Sequence, residues 1–209
     1  MPERKLLASR ADLCRFLAAC YYQPGPEFAE EKVFDSMLDV ATRIRPDLAA
    51  RARRLGEEFA AASTESLLVD YTRLFFGPVN AIAQPYGSIW LDAEKTVMGS
   101  STMAVLDMYG QGGFEMEDDF QEPPDHIAAE LEFLYLLIFR ENAAHRNGRS
   151  DALTTIAGLR KRFLDEHLGR WVGPFTAAVK VGAQSAFYRE LAALTDRFVG
   201  MEADSAKSN

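Results

Sequence analysis

Apolar residues recur three and four positions apart along almost the whole chain, as in Leu13, Phe16, Leu17, Cys20 and Tyr21, and strict alternation over a strand length is hard to find. That spacing gathers apolar side chains on one face of a helix. It predicts an all-α fold, with helices over about 6–22, 27–44, 47–62, 64–76, 92–109, 125–146, 151–168, 171–182 and 184–199. Boundary signals agree: Asp47 follows Pro46, Thr64 precedes an acidic first turn at Glu65, and Pro123-Pro124 leads into a segment opening at Asp125. Beyond Gly200 the run Met201-Glu202-Ala203-Asp204-Ser205-Ala206-Lys207-Ser208-Asn209 has few apolar positions, which predicts a disordered tail over 200–209.

Two irregular segments interrupt the helical pattern, 77–90 and 110–124. Loops of such length in a compact helical domain usually bind something or move. The first keeps Ile82, Tyr86, Ile89 and Trp90, apolar surface that is expected to pack.

With 209 residues the chain fits a single globular multi-helix domain, read as 1–199. No apolar run of signal-peptide or membrane-spanning type is present, so the expectation is a cytoplasmic protein without stable membrane insertion. Cys14 and Cys20 form no CxxC pair and read as reduced, buried thiols. The net charge of −8 argues against nucleic acid and favours a partner carrying positive charge.

That charge is unevenly distributed. Between Lys95 and Arg140 there is no Lys or Arg, while Asp107, Glu115, Glu117, Asp118, Asp119, Glu122, Asp125, Glu130 and Glu132 all fall there. The stretch is either a solvated acidic loop or a patch that attracts an arginine-rich partner. An exposed ion pair contributes only about 0.2–1 kcal/mol, against about 1.5–3 kcal/mol for burying a Leu or Phe side chain. Acids would then select a ligand that apolar contacts hold, and a peptide with paired arginines before an apolar segment uses both.

Asp125 is placed to cap the helix that follows it. His126 and Glu130 share a face at i, i+4 and are positioned to hydrogen-bond or ion-pair. A metal site needs three or four converging ligands, and the chain has only His126, His145 and His167, with no HExxH or clustered cysteines. No phosphate-binding loop and no nucleophile elbow occurs, so no catalytic residue, metal or cofactor is assigned. The rival to a binding protein is a metal-binding or hydrolytic helical enzyme centred on His126 and Glu130.

Three passages resemble the TorD/DmsD family of redox-enzyme maturation chaperones. Tyr71-Thr72-Arg73-Leu74-Phe75-Phe76-Gly77-Pro78 is similar to the family's Tyr-x-x-Leu-Phe motif, and Pro85-Tyr86-Gly87-Ser88 with Trp90 to its Pro-aromatic-Gly-Ser segment. Glu122-Pro123-Pro124-Asp125-His126, followed by Glu130-Leu131-Glu132-Phe133, looks like its Glu-Pro-x-Asp-His signature. The resemblance implies a non-enzymatic chaperone that binds the twin-arginine signal peptide and the mature part of a molybdopterin-containing oxidoreductase subunit. Such a chaperone assists cofactor insertion and delays export until folding is complete. It implies client-binding roles for Asp125, His126, Glu122, Pro85, Tyr86, Gly87, Ser88 and Trp90. Tyr71, Leu74 and Phe75 match a motif but serve equally well as core. The family's loop aromatic is often Trp where this chain has Tyr86, and its members are compatible with a monomer or a helix-swapped homodimer.

Overall fold

The computed structural model describes residues 2–25, 28, 31–76, 81–116 and 122–207. Among them are ten α-helices and no strand: α1 Pro2–Ala19, α2 Val33–Ile44, α3 Pro46–Ala61, α4 Thr64–Tyr71, α5 Gly87–Leu91, α6 Ser100–Gly112, α7 Ile127–Arg146, α8 Ser150–Glu166, α9 Leu168–Gly182 and α10 Ala186–Lys207. The all-α expectation is met. Among the described residues no helix is long and apolar enough to cross a membrane.

The 3.6-residue pattern becomes the core. Leu13 and Leu17 of α1, Leu131, Leu134 and Ile138 of α7, Phe175 and Val179 of α9, and Leu191 and Phe198 of α10 are all removed from solvent. Each such side chain stabilises the fold by about 1.5–3 kcal/mol relative to exposure. α1 packs along α7, α9 along α10, and α8 against α7, α9 and α10, while α2 and α3 pair and close over α1 and α10. Cys14 and Cys20 are free and buried, and burial pushes the Cys20 thiol up to about 12.

Several boundaries differ from expectation for identifiable reasons. The helix expected over 64–76 is α4 followed by a π-helical turn, Thr72–Phe76, which sends Leu74 and Phe75 inward and Phe76 outward. The Ala83 N–H, at 2.8 Å, occupies the Leu74 carbonyl in place of a regular helical partner. The helix expected over 92–109 is interrupted, since Lys95 and Met98 adopt positive φ (49° and 65°) and Asp92 receives the Ser101 N–H at 3.2 Å as α6 starts. α6 then runs on to Gly112 and ends on Gly113, whose φ of 61° is the left-handed conformation that glycine takes without strain.

The expected disordered tail is a correction: α10 continues to Lys207. Its polar residues are held by buried charges, which hydrophobic periodicity does not register. Glu202 accepts from Arg10 Nε and Nη2 at 2.6 and 2.5 Å and from Arg160 Nη1 at 3.2 Å, and Arg160 Nε donates to Glu141 at 2.8 Å. One network thus joins α1, α7, α8 and α10.

Candidate functional site

The two irregular segments meet. Pro85, locked in φ and lacking an N–H, keeps the chain extended as it enters α5, and its carbonyl accepts the Ile127 N–H at 2.8 Å. The Gly87 N–H returns a 2.8 Å bond to the Asp125 carbonyl, giving an isolated antiparallel bridge between Tyr86 and His126. Asp125 Oδ2 accepts the Ser88 N–H at 2.7 Å, so this carboxylate caps α5. The expected cap of Asp125 on its own helix is corrected. His126 is the N-cap of α7, its Nδ1 accepting from the Ala128 N–H at 3.2 Å.

Beneath the bridge lies a closed polar cluster. Glu130 accepts from His167 Nε2 at 2.8 Å and from Trp171 Nε1 at 3.0 Å, with all three groups buried. Burial raises the Glu130 carboxyl more than these partners lower it. For His167, burial acts downward, but the Glu130 charge and hydrogen bond outweigh it and raise the imidazole. The expected contact between His126 and Glu130 side chains is therefore replaced by one with His167. Gly87 rests on this cluster: a Cβ there would lie 3.1 Å from Glu130 Oε1, 3.1 Å from Trp171 Nε1 and 3.2 Å from His167 Nε2. The glycine fits this close approach, where a side chain would crowd all three groups.

His126 is 2% exposed, and burial pushes its pKa down to about 3. The neutral ring, with Nδ1 as acceptor, carries its hydrogen on Nε2. Nε2 has no partner among the described residues, and it is not one of the orphaned atoms closed off from solvent. The Tyr22 ring stacks on the imidazole at 6.2 Å and 18°, and the Tyr86 ring lies 5.5 Å away at 60°. The Tyr22 hydroxyl donates to Glu132 at 3.0 Å and the Tyr86 hydroxyl to Glu122 at 2.7 Å. Both tyrosines are pushed up in pKa, by burial first and then by these carboxylates. All four tyrosine and glutamate side chains remain partly open to solvent.

Other expected site residues face inward. Asp125 and Ser88 are fully buried, with Asp125 Oδ1 and Ser88 Oγ lacking partners. Trp90 donates from Nε1 to the Gln84 carbonyl at 2.9 Å and packs edge-on against Phe175. Tyr71, Leu74 and Phe75 belong to the core. Among the apolar side chains left outside are Phe76, Ile82 and Val181, which are 49%, 42% and 89% exposed, besides others such as Val69, Met98 and Met103. Ile82, expected to pack, lies against Gly182 but stays partly exposed. The Tyr71 ring lies 5.5 Å from that of Phe76, and its hydroxyl is pushed up by burial and then by the Glu122 charge.

The acidic stretch is divided by the fold. Asp125 and Glu130 are interior, Asp107 and Glu115 exposed, Glu122 and Glu132 between, and Glu117, Asp118 and Asp119 lie outside the described residues, as do Gly77 and Pro78. Among the described residues no three His, Cys, Asp or Glu side chains converge as a metal would need. Sequence reasoning missed Tyr22 and counted Glu132 only as one acid among nine. The one available signal was the i+10 position of Glu132 from Glu122, which says nothing of Tyr22.

Residues 41–177 match the profile of a family described as nitrate reductase delta subunit. The chain is 29% identical over 166 residues to the Tat proofreading chaperone DmsD of Salmonella typhi, covering 79% of this chain and 80% of that one. It is 25% identical over 182 residues to the chaperone protein TorD of Shewanella loihica, covering 85% and 80% respectively. A crystal structure of a redox enzyme maturation protein from Archaeoglobus fulgidus superposes with a TM-score of 0.55 at 20% identity, over 92% of this chain and 93% of that one. At that identity the likeness speaks to the fold. The matched profile contains both bridged segments but not Tyr22.

Proposed function

This chain belongs to the TorD/DmsD family of redox-enzyme maturation chaperones, and on that premise we propose that it is a cytoplasmic binding protein for the twin-arginine signal peptide and precursor of a molybdopterin-containing oxidoreductase subunit. It holds the precursor while cofactor is inserted and delays export until the subunit has folded. The observation that supports this reading is the Tyr86–His126 bridge, which joins the two motif segments and leaves the Glu122 carboxylate on the Tyr86 hydroxyl, while Phe76, Ile82 and Val181 leave apolar surface exposed. A peptide with arginines next to an apolar stretch satisfies both halves, the apolar half supplying most of the affinity. The rival enzyme centred on His126 and Glu130 loses its support, because Glu130 is turned to His167 and Trp171.

The test is calorimetric titration with twin-arginine signal peptides of molybdenum oxidoreductases from the same organism, alongside versions with a polar replacement of the apolar segment. Saturable binding that falls most with the polar version is expected. Folded protein that binds none of these peptides overturns the reading.

A further inference from the structure

A cavity of about 480 Å³ opens between the end of α7, α8 and the last turn of α10, within the size range of small-molecule sites. It lies well away from the Tyr86–His126 bridge. Glu141 and His145, which border it, are about 20–30 Å along α7 from His126 at about 1.5 Å per residue. The space is left open by small residues: α8 contributes Ala157 and Gly158, and α10 contributes Ala206. A Cβ on Gly158 would meet nothing within 4 Å.

The most buried residues lining the cavity are Glu141 and Arg160, 4% and 1% exposed. Arg160 donates to Glu141 from Nε at 2.8 Å and from Nη2 at 3.4 Å, and to Glu202 from Nη1 at 3.2 Å. A guanidinium carries five N–H groups, so two are left without an acceptor among the described residues. Unfilled donors on a buried charge are costly, and an incoming acceptor relieves that cost. Among the described residues that line the cavity Glu141 is the single acid, and Arg160 already holds it. Lys161 adds a half-exposed cation beside it. A cationic ligand would meet two like charges here, whereas an anion meets donors.

We propose that this cavity is a second ligand site, which takes a small organic oxyanion: a carboxylate or phosphate head on an apolar body. The spare Arg160 donors receive the head, with Lys161 next to them, and the small residues of α8 and α10 leave room for the body. Arginine suits either head, because its planar fork matches carboxylate and phosphate oxygens alike. Occupancy ties α7, α8 and α10 together at the guanidinium that already joins them, so the ligand stabilises the closed bundle.

The experiment titrates the full chain calorimetrically with hexanoate, hexyl phosphate, 1-hexanol and inorganic phosphate. At least one of hexanoate and hexyl phosphate is expected to bind about tenfold or more tighter than 1-hexanol, the scale of a hydrogen bond to a charged group. The tighter of the two identifies the head, and inorganic phosphate, lacking the body, should bind more weakly than hexyl phosphate. Gly158→Phe places a bulky side chain in the open space, on a residue that favours a helix more than glycine does. That variant should keep its helical circular-dichroism signal and lose the anions. Lys161→Ala should weaken them and leave their advantage over 1-hexanol, carried by Arg160. High salt should leave that advantage as well, since a buried charge is screened far less than an exposed one. An advantage erased by salt would place it on Lys161 and overturn the role of Arg160. Equal affinity for 1-hexanol and both organic anions, no saturable binding, or a Gly158→Phe protein that binds them as wild type overturns the site. The signal-peptide reading stands apart from all of these outcomes.

Discussion

The Asp125 carboxylate accepts the Ser88 backbone N–H at 2.7 Å and is fully buried in doing so, so one segment of the site caps the helix of the other. Asp125 thus shapes 85–88 from inside the fold. Asp125→Ala should cost about 0.5–2 kcal/mol of stability, the range for a lost cap, and Asp125→Asn less because an acceptor remains. Urea denaturation reads both. A folded Asp125→Asn protein should keep wild-type peptide affinity; selective loss of binding would show that the carboxylate reaches the ligand.

Gly87→Ala forces a methyl group between Glu130 Oε1, Trp171 Nε1 and His167 Nε2 at 3.1–3.2 Å. Overpacking of this kind costs about 1–3 kcal/mol. We expect a lower denaturation midpoint with unchanged slope. A protein as stable as wild type would mean that the cluster yields freely and that glycine is not needed for the approach.

The two buried histidines give opposite pH dependences. His126 is held neutral, its pKa pushed from about 6.5 in the unfolded chain down to about 3. Between those values the unfolded chain binds the extra proton, so this contribution is whole above about pH 6.5 and is lost as pH falls toward 3. His167 is raised by Glu130, so its contribution is whole below about pH 6.5 and is lost as pH rises through its folded value. Denaturant midpoints measured across pH should show a shallower acid limb in His126→Asn than in wild type. An equally steep limb would place the acid sensitivity elsewhere.

Removing residues after Gly200 takes away Glu202 and leaves Arg10 and Arg160 buried without their shared carboxylate. Breaking one side of a buried pair costs about 3–5 kcal/mol. Glu202→Ala should reproduce most of the loss, and thermal melts of the two proteins should fall together. Wild-type stability after truncation would rule out a structural role for the last turns of α10.

The helices were legible in the sequence because apolar spacing reports helix faces directly, as at Leu13 and Leu17. Where local order depends on a distant partner, the spacing is silent. Glu202 is polar in a polar run, and its burial follows from arginines 192 and 42 residues away. The two site segments were recognisable, and Tyr86 and Glu122 meet as a pair. That Asp125 caps α5 and leaves His126 to cap α7 depends on a hydrogen bond across 37 residues. Tyr22 was unreadable for the same reason, since only folding brings α1's end to Glu132.

The Arg10–Glu202 pair also orders events during synthesis. A growing chain makes α1 long before the carboxylate that neutralises its arginine, which lies 192 residues further on. Until α10 has been made, Arg10 lacks the carboxylate that compensates its burial and Arg160 has only Glu141, so α1 cannot settle against its neighbours with the Arg10 charge enclosed. Final closure of α1 therefore waits on one glutamate of α10, made after every other helix that it ties together.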